Sequence, residues 1–393
     1  MTSLAERALR GALVFCLAAA WPVPARAVEP IVIGEINPLT GALALQGTSV
    51  HQGIVLAIEE QNARGGIAGR NLLLLSRDDE GRPERAIGAA EELAGRSQAV
   101  ALIGGYVDSL VGPIAEVADR ARVPYLATAS LDERLTGRGN RYFFRISSLA
   151  GYVRPMTGFV ESALGARRVA VFYSPTPGAT QLARRQREAF EQSGVRVLVY
   201  EPLAAGLSDF TPLLARVRDQ GADVLISNTF FADHLVLVRQ MAQGGVKLRA
   251  FLGAFGMEFP DVIRSLGPAA EGLYGTTAWQ PGVAAPGQET ESQAFVEAFT
   301  KRFGVQAAPL AMHGYAAARA LLTALEPAAR SGRPLTGPGL RDALAAADVM
   351  TPMGRVRFDE RGDPADYERV ILQIQDGRHV VVWPKARARA AVR

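Results

Sequence analysis

The side chains that could do acid–base or metal chemistry are few and lie far apart in the sequence. No histidine has a second histidine at helical spacing, which argues against a zinc site built on one helix. Asp78 and Asp79 form a carboxylate pair directly after an apolar run, where they could exchange protons with a substrate. They also precede a predicted helix, and we favour the interpretation that they cap it and form hydrogen bonds within the loop. The histidines are His51, His234, His313 and His379.

A second group of acidic residues lies near the C-terminus, and it does not have the spacing of a calcium-binding loop. A solvated turn explains it better. The sequence also lacks the phosphate loop, the G-x-S-x-G nucleophile elbow and a complete G-x-G-x-x-G dinucleotide motif. We therefore predict no catalytic residue, no metal site and no cofactor. The acidic group consists of Asp359, Glu360, Asp363 and Asp366.

Length and charge narrow the class of protein further. A chain of 393 residues with 48% hydrophobic residues is long enough for two domains with full cores. The net charge of +4 and the pI of about 9.4 could indicate binding to nucleic acid. However, the surplus of basic residues is concentrated at the two ends, and the body between them is close to neutral. We therefore predict no nucleic-acid partner.

The N-terminus has the pattern of an export signal. Arg7 and Arg10 precede a short apolar run at 11–20, and an Ala-x-Ala site ends at Ala27. We predict cleavage after Ala27 and a periplasmic protein; a buried N-terminal helix and a lipid anchor at the cysteine of the apolar run are the weaker alternatives. Cys16, the single cysteine, lies within the apolar run, so the mature protein would contain neither a disulfide nor a thiol nucleophile.

Strands and helices alternate twice along the body of the chain. Continuous apolar strands separated by helices are typical of parallel sheets that are covered on both faces. The predicted strands lie at 31–36, 72–76, 99–104, 124–128, 168–173, 195–200, 223–227, 248–252 and 272–279. The predicted helices lie at 50–62, 84–95, 111–120, 152–164, 180–193, 211–220, 232–243, 292–302, 310–325 and 339–347.

The last part of the chain departs from this alternation. Runs at 354–358, 370–376 and 379–383 are separated by turn residues and predict a small antiparallel group. The basic tail at 385–393 follows, and we expect it to be disordered or to contact a membrane surface. The predicted fold class is α/β, with two doubly wound parallel-sheet lobes.

Several segments resemble the periplasmic substrate-binding proteins of ABC importers, in the leucine/isoleucine/valine-binding class. The start IGEINPLTG at 33–41 resembles the first strand and ligand loop of that family. The turn NARGGIAGR at 62–70 is the most specific similarity, and DFTPLL at 209–214 resembles the signature of the second lobe. Segments around 270–272 and 354–363 complete the same order along nearly the whole mature chain.

The resemblance implies a type I binding-protein fold, in which two lobes are joined by three crossings near 147, 277 and 350. It implies a monomer without enzymatic activity that binds a small-molecule solute between the lobes. The implied partner is an ABC permease in the inner membrane. The predicted segments are a signal peptide at 1–27, lobe one at 28–147 and 278–350, lobe two at 148–277 and 351–384, and the tail at 385–393.

Ligands of such sheets bind where the carboxyl ends of the strands and the helix N-termini meet, because unpaired N–H groups lie there. We therefore predict a ligand site formed by the loops that follow the central strands of each lobe. The predicted ligand-binding residues are Gln46, Tyr106, Asp108, Ser109, Ala129, Ser130, Leu131, Phe230, Phe231 and Phe255.

Three of these positions depart from the amino-acid binders of the family. The resemblance places Asp108 where those proteins hold the ligand carboxylate with a serine, and Leu131 where they use a threonine. Phe255 stands where a glutamate holds the ligand ammonium, which argues against an α-amino acid in the usual pose. Asp108 either caps its helix or accepts a hydrogen bond from a ligand amine or hydroxyl.

The predicted ligand is a small organic molecule: an aromatic or apolar carboxylate, an amide, or an amino acid in an altered pose. Aromatic side chains on the predicted walls suit a flat solute. A ligand-sensing receptor on the same fold, which acts on a signalling partner instead of a permease, is the alternative function. A secreted hydrolase would require a nucleophile–base pair that the sequence does not contain.

Overall fold

The computed structural model describes residues 29–137, 139–204, 206–331 and 335–393. The predicted signal peptide, with Cys16 and the cleavage site after Ala27, lies outside the described residues. Within the described ranges, no helix combines the length and the apolar character needed to cross a bilayer.

The first sheet has five parallel strands in the order β2-β1-β3-β4-β5. Alternate residues of its central strands enter two different cores: Ala101 and Ile103 pack on one face, and Leu102 packs on the other. Because both faces are apolar, the central strands contain continuous hydrophobic runs, such as ALIGGY at 101–106. The strands are β1 (Ile31–Asn37), β2 (Leu72–Asp78), β3 (Ala101–Tyr106), β4 (Tyr125–Ala129) and β5 (Phe143–Arg145).

The helices between these strands cover the sheet on both faces. The second and third helices pack together on one face, and the first packs on the opposite face. A short fourth helix follows β4. The helices are α1 (Ala44–Ala63), α2 (Pro83–Glu91), α3 (Asp108–Ala121) and α4 (Glu133–Gly137).

The second sheet has seven strands in the order β14-β13-β10-β9-β8-β6-β7, of which β6 to β10 are parallel. The two C-terminal strands add to the β10 edge in antiparallel orientation. The strands are β6 (Arg168–Tyr173), β7 (Arg196–Pro202), β8 (Val224–Asn228), β9 (Ala250–Gly253), β10 (Tyr274–Thr277), β13 (Val370–Gln375) and β14 (Arg378–Trp383). Its helices are α5 (Leu149–Gly158), α6 (Pro177–Gln192), α7 (Thr211–Asp219), α8 (Phe231–Gln243) and α9 (Pro260–Leu266).

After β10 the chain returns to the first sheet before it re-enters the second. Helices α10 (Glu289–Phe303), α11 (Pro309–Arg330) and α12 (Pro338–Ala345) follow, and α11 packs against α1. Strands β11 (Asp348–Thr351) and β12 (Gly354–Arg357) form a separate antiparallel pair that contacts α11. We call the first sheet with its helices lobe one, and the second sheet with its helices lobe two. The predicted α/β class with two doubly wound lobes is confirmed.

Several boundaries differ from the predictions. Helix α1 begins six residues before the predicted start at 50. The prediction missed this first part because it contains Gly47, a poor helix former that is required there. A Cβ at Gly47 would lie 2.0 Å from the carbonyl oxygen of Pro38. In the predicted C-terminal group, the runs at 370–376 and 379–383 do pair in antiparallel orientation, as β13 and β14, but the run at 354–358 does not join them, because β12 pairs with β11. Elements β5, β11, α4 and α9 were not predicted.

The basic tail folds back onto lobe two and is not disordered. The backbone N–H of Arg389 donates to the carbonyl of Val381, and the Gln375 side chain donates to the carbonyl of Ala391, both at 2.8 Å. The guanidinium of Arg393 pairs with Asp376 at 2.7 Å. The tail therefore completes the edge of the second sheet, and part of its positive charge is neutralised there.

Two glycines bring α1 and α11 into backbone contact. A Cβ at Gly53 would lie 1.8 Å from the carbonyl oxygen of Ala311, and a Cβ at Gly314 would lie 2.1 Å from that of Val50. Both distances are far below van der Waals contact, so each position requires glycine. The two helices consequently pack at a separation that no other residue type would permit.

We expect Gly53→Ala to lower the free energy of unfolding by about 1–3 kcal/mol, because the added methyl group would force the two helices apart. Gly88→Ala is the matched control: Gly88 is on the exposed face of α2, and its Cβ would contact nothing within 4 Å. The free energy of unfolding of that control should rise by about 0.5–1 kcal/mol, because alanine is a better helix former than glycine. Urea unfolding measures both; equal stability of the two variants would contradict the close contact.

Candidate functional site

A cavity lies between the two lobes, at the carboxyl ends of the strands of both sheets. It contains about 560 Å³ of space between atoms, part of it open to solvent. This volume is within the range of sites that bind small molecules. The predicted residues that line it are Tyr106, Asp108, Ala129, Ser130, Leu131, Phe230 and Phe255.

Three predicted residues lie outside this lining. Gln46 is buried within α1, and Ser109 is exposed on the surface of α3. Phe231 packs behind the wall against Phe259, with ring centroids 6.2 Å apart. Ser109 and Phe231 follow strand ends by three residues, and Gln46 lies in the first turn of the helix after β1, so the pattern alone could not exclude them.

Asp108 is the first residue of α3, and its carboxylate binds the loop after β4. Its Oδ1 accepts three hydrogen bonds: from the Ser130 hydroxyl at 2.7 Å, and from the backbone N–H groups of Leu131 and Asp132 at 2.8 Å each. The side chain does not cap α3, so the capping interpretation is wrong. Burial raises the pKa of Asp108, while these donors and Arg145 oppose the shift.

The residue before Asp108 has an unusual backbone. Val107 has φ 64° and ψ 143°, a region that a β-branched residue rarely adopts. Such a conformation costs about 1–3 kcal/mol and persists only where the surroundings impose it. Here it follows Gly104 and Gly105, both at positive φ, and it turns Asp108 toward the cavity.

Lobe two approaches Asp108 most closely at Gly178, near the start of α6. A Cβ at Gly178 would lie 2.1 Å from Oδ2 of Asp108 and 3.0 Å from Cβ of Leu131, so only glycine fits. Next to this contact, Gln181 of α6 donates to Oδ1 of Asp132 at 2.6 Å. The two lobes therefore touch on this side of the cavity, as in a closed cleft.

Aromatic rings from both lobes form a continuous wall. Tyr106 of lobe one meets Phe230 of lobe two edge to face, with ring centroids 6.4 Å apart. Phe230 stacks on Phe255 at 5.6 Å and 27°, and Phe255 meets Tyr152 at 5.4 Å. Four rings thus present faces and edges to any molecule in the cavity.

A buried glutamate lines the cavity at a position that sequence reasoning missed. Glu258 accepts a hydrogen bond from the N–H of Gly256 at 2.8 Å and lies 3.7 Å from the guanidinium of Arg369. Burial raises the pKa of Glu258, and Arg369 opposes the shift. The resemblance placed this glutamate at Phe255; the loop after β9 brings a carboxylate to the wall three residues later.

Arg369 itself does not line the cavity. Its guanidinium lies 4.0 Å from the centre of the Tyr152 ring and donates to the hydroxyl of Tyr367 at 2.6 Å and to the carbonyl of Thr276 at 2.5 Å. It therefore supports the wall from behind. Further lining residues that were not predicted are Ser147, Ala179, Gly256, Phe259, Leu310 and His313.

His313 reaches the cavity from α11 as a neutral acceptor. Its Nδ1 lies 3.1 Å from the carbonyl of Thr128, and because a carbonyl only accepts, Nδ1 must carry the proton. Burial lowers the pKa of His313 to about 4, so the ring is uncharged at pH 7 and its Nε2 is a hydrogen-bond acceptor.

The periplasmic binding protein family matches this chain over residues 30–378. The chain belongs to that family. An amino acid binding protein of Pseudomonas aeruginosa is 27% identical over 376 residues, covering 93% of this chain and 96% of that protein. Leu/Ile/Val-binding protein homolog 7 of Brucella abortus is 25% identical over 388 residues, covering 94% and 95%.

Solved periplasmic binding proteins have the same fold. The branched-chain amino acid transporter substrate binding protein LivJ of Streptococcus pneumoniae, in complex with isoleucine, superposes with a TM-score of 0.80 at 20% identity. That match covers 90% of this chain and 100% of the other. A solute binding protein of R. palustris in complex with benzoate superposes with a TM-score of 0.78 at 19% identity. That match covers 92% of this chain and 98% of the other. The resemblance found in the sequence is confirmed.

The buried, neutral His313 makes the stability of this binding protein depend on pH. Its pKa is 6.5 in the unfolded chain and about 4 in the fold, so between these values the unfolded chain binds more protons. We therefore expect the protein to lose up to about 3 kcal/mol through this group as the pH falls from 6.5 to 4.

In His313→Gln this acid loss should be smaller, although His234, which is equally buried, will maintain part of it. His51 is the control, because its hydrogen bond to Glu35 raises its pKa and its contribution disappears as the pH rises. In His51→Gln the loss of stability on acidification should therefore be at least as large as in the wild type. Urea unfolding at pH 7 and pH 5 measures these differences. If the free energy of unfolding of His313→Gln falls between pH 7 and pH 5 by as much as that of the wild type, the lowered pKa of His313 is contradicted.

Proposed function

We propose that this protein is exported to the periplasm, binds a small organic solute between its lobes and delivers it to an ABC permease in the inner membrane. The observation that carries the proposal is the interlobe cavity, which combines an aromatic wall with buried polar groups from both lobes. In the proposed arrangement the signal peptide is removed after Ala27, and the mature protein acts as a monomer without catalysis.

The solute that fits this cavity is small and at least partly aromatic or apolar. Stacking and area burial on Tyr106, Phe230 and Phe255 would supply most of the affinity. We propose an aromatic or apolar carboxylate, an amide, or an amino acid in an altered pose. The solutes named for two relatives of the same fold, isoleucine and benzoate, lie within these classes.

Closure of the lobes would connect binding to delivery. The three crossings, proposed at 147, 277 and 350, act as the hinge, and a solute that contacts both lobes favours the closed form. The permease then distinguishes the loaded protein by the relative position of the lobes. Gly178 and Asp108 meet directly in the closed form, so this pair limits how far the lobes can close.

Mass spectrometry of the solute retained by the purified protein tests the proposal directly. We expect about one molecule of a small organic compound per protein, and we expect that adding it back after unfolding and refolding raises the melting temperature by several degrees. Such a shift follows when a ligand binds only the native state. If no compound is retained and none from a broad panel shifts the melting temperature, the proposed function is wrong.

We expect Gly178→Ala to weaken binding of that retained solute at least tenfold, because the added methyl group would collide with the Asp108 carboxylate when the lobes close. The melting temperature of the solute-free protein should change little, since the contact exists only between lobes.

Gly158→Ala is the matched control, because its Cβ would contact nothing within 4 Å in α5. It should bind as the wild type does. Titration calorimetry measures the affinities, and equal binding by both variants would exclude closure at Gly178.

A further inference from the structure

Asp108 occupies the donors that would otherwise hold an anion. The Ser130 hydroxyl and two successive backbone N–H groups, at Leu131 and Asp132, converge on one point in the cleft wall. Such a group of donors is a suitable site for a carboxylate. In this protein the carboxylate comes from the chain itself, since Oδ1 of Asp108 fills that point.

The other oxygen of this carboxylate is still available. Oδ2 of Asp108 accepts no hydrogen bond from the described residues, and it lies against Gly178 at the junction of the lobes. With Oδ1 held by three donors, Oδ2 is the atom that can accept a hydrogen bond from a bound molecule. A solute carboxylate placed here would meet a like charge instead.

The rest of the lining is also rich in acceptors. Among the described residues, the charged side chains that line the cavity are Asp108 and Glu258, and no lysine or arginine lines it. His313 adds a neutral acceptor nitrogen, because its proton lies on the side of Thr128. Burying a solute carboxylate in this lining without a cation would be strongly unfavourable.

The geometry points to a solute that carries an N–H donor group, as an amide or an ammonium, and has no free carboxylate. We propose that this group donates to Oδ2 of Asp108 while the aromatic wall covers the apolar part. An ammonium would gain further from the ring faces of Tyr106 and Phe230. The inference rests on the proposed function and narrows its solute class.

Matched compounds test this inference, because they share one apolar part and differ in one polar group. The probes are benzamide, benzylamine and benzoate, together with leucinamide and leucine. We expect the wild type to bind at least one amide or amine with at least tenfold higher affinity than the carboxylate of the same set. Comparing benzamide with benzylamine tells whether the donor is neutral or charged.

The variant Asp108→Asn replaces the hydrogen-bond acceptor Oδ2 with a hydrogen-bond donor. Its amide oxygen can still accept the three hydrogen bonds, while an NH₂ group replaces Oδ2. We expect this variant to bind the amide or amine with at least tenfold lower affinity, and to bind benzoate with measurably higher affinity, than the wild type does. Asp219→Asn, the same change at an exposed position at the end of α7, is the control and should bind as the wild type does.

Calorimetry on the full mature protein decides the outcome. The inference is overturned if the wild type prefers benzoate or leucine to its amide, or if Asp108→Asn leaves the preference unchanged. It is also overturned if neither protein binds any of the five probes. In each of these cases the proposed function is judged separately, by whether the purified protein retains a solute of its own.

Discussion

The contact between the Asp108 carboxylate and the loop after β4 is the constraint on which the rest of the site depends. Three donors from residues 130–132 converge on Oδ1, which connects the start of α3 to the neighbouring strand end. The strained backbone at Val107 delivers the carboxylate to that point. Because the other oxygen lies against Gly178, the same side chain also defines where the lobes meet.

The architecture could be predicted because its signals are local. The central strands of both sheets are buried on two faces, so β6 contains an apolar run at 169–173 and β8 contains one at 224–226, with helices between the strands. The start of α1 could not be predicted, since it contains Gly47, a poor helix former that is required there by the nearby carbonyl of Pro38. Close approaches of this kind leave no periodic pattern.

The candidate site was predictable only in part, for a related reason. Strand ends indicate the correct loops, which is why Tyr106, Asp108 and Phe255 were found. The direction of each side chain within a loop depends on backbone angles that the residue types do not determine. Glu258 was missed because the loop after β9 turns a residue three positions later toward the cavity.

The order in which the chain is synthesised has a consequence for folding. Lobe one needs α11 for its core, and lobe two needs β13, β14 and the tail to complete its second sheet. The contacts that complete each lobe span long sequence distances. Neither lobe can therefore reach its final form until almost the entire chain has left the ribosome. An incomplete chain therefore lacks the contacts that hold either lobe in its final form.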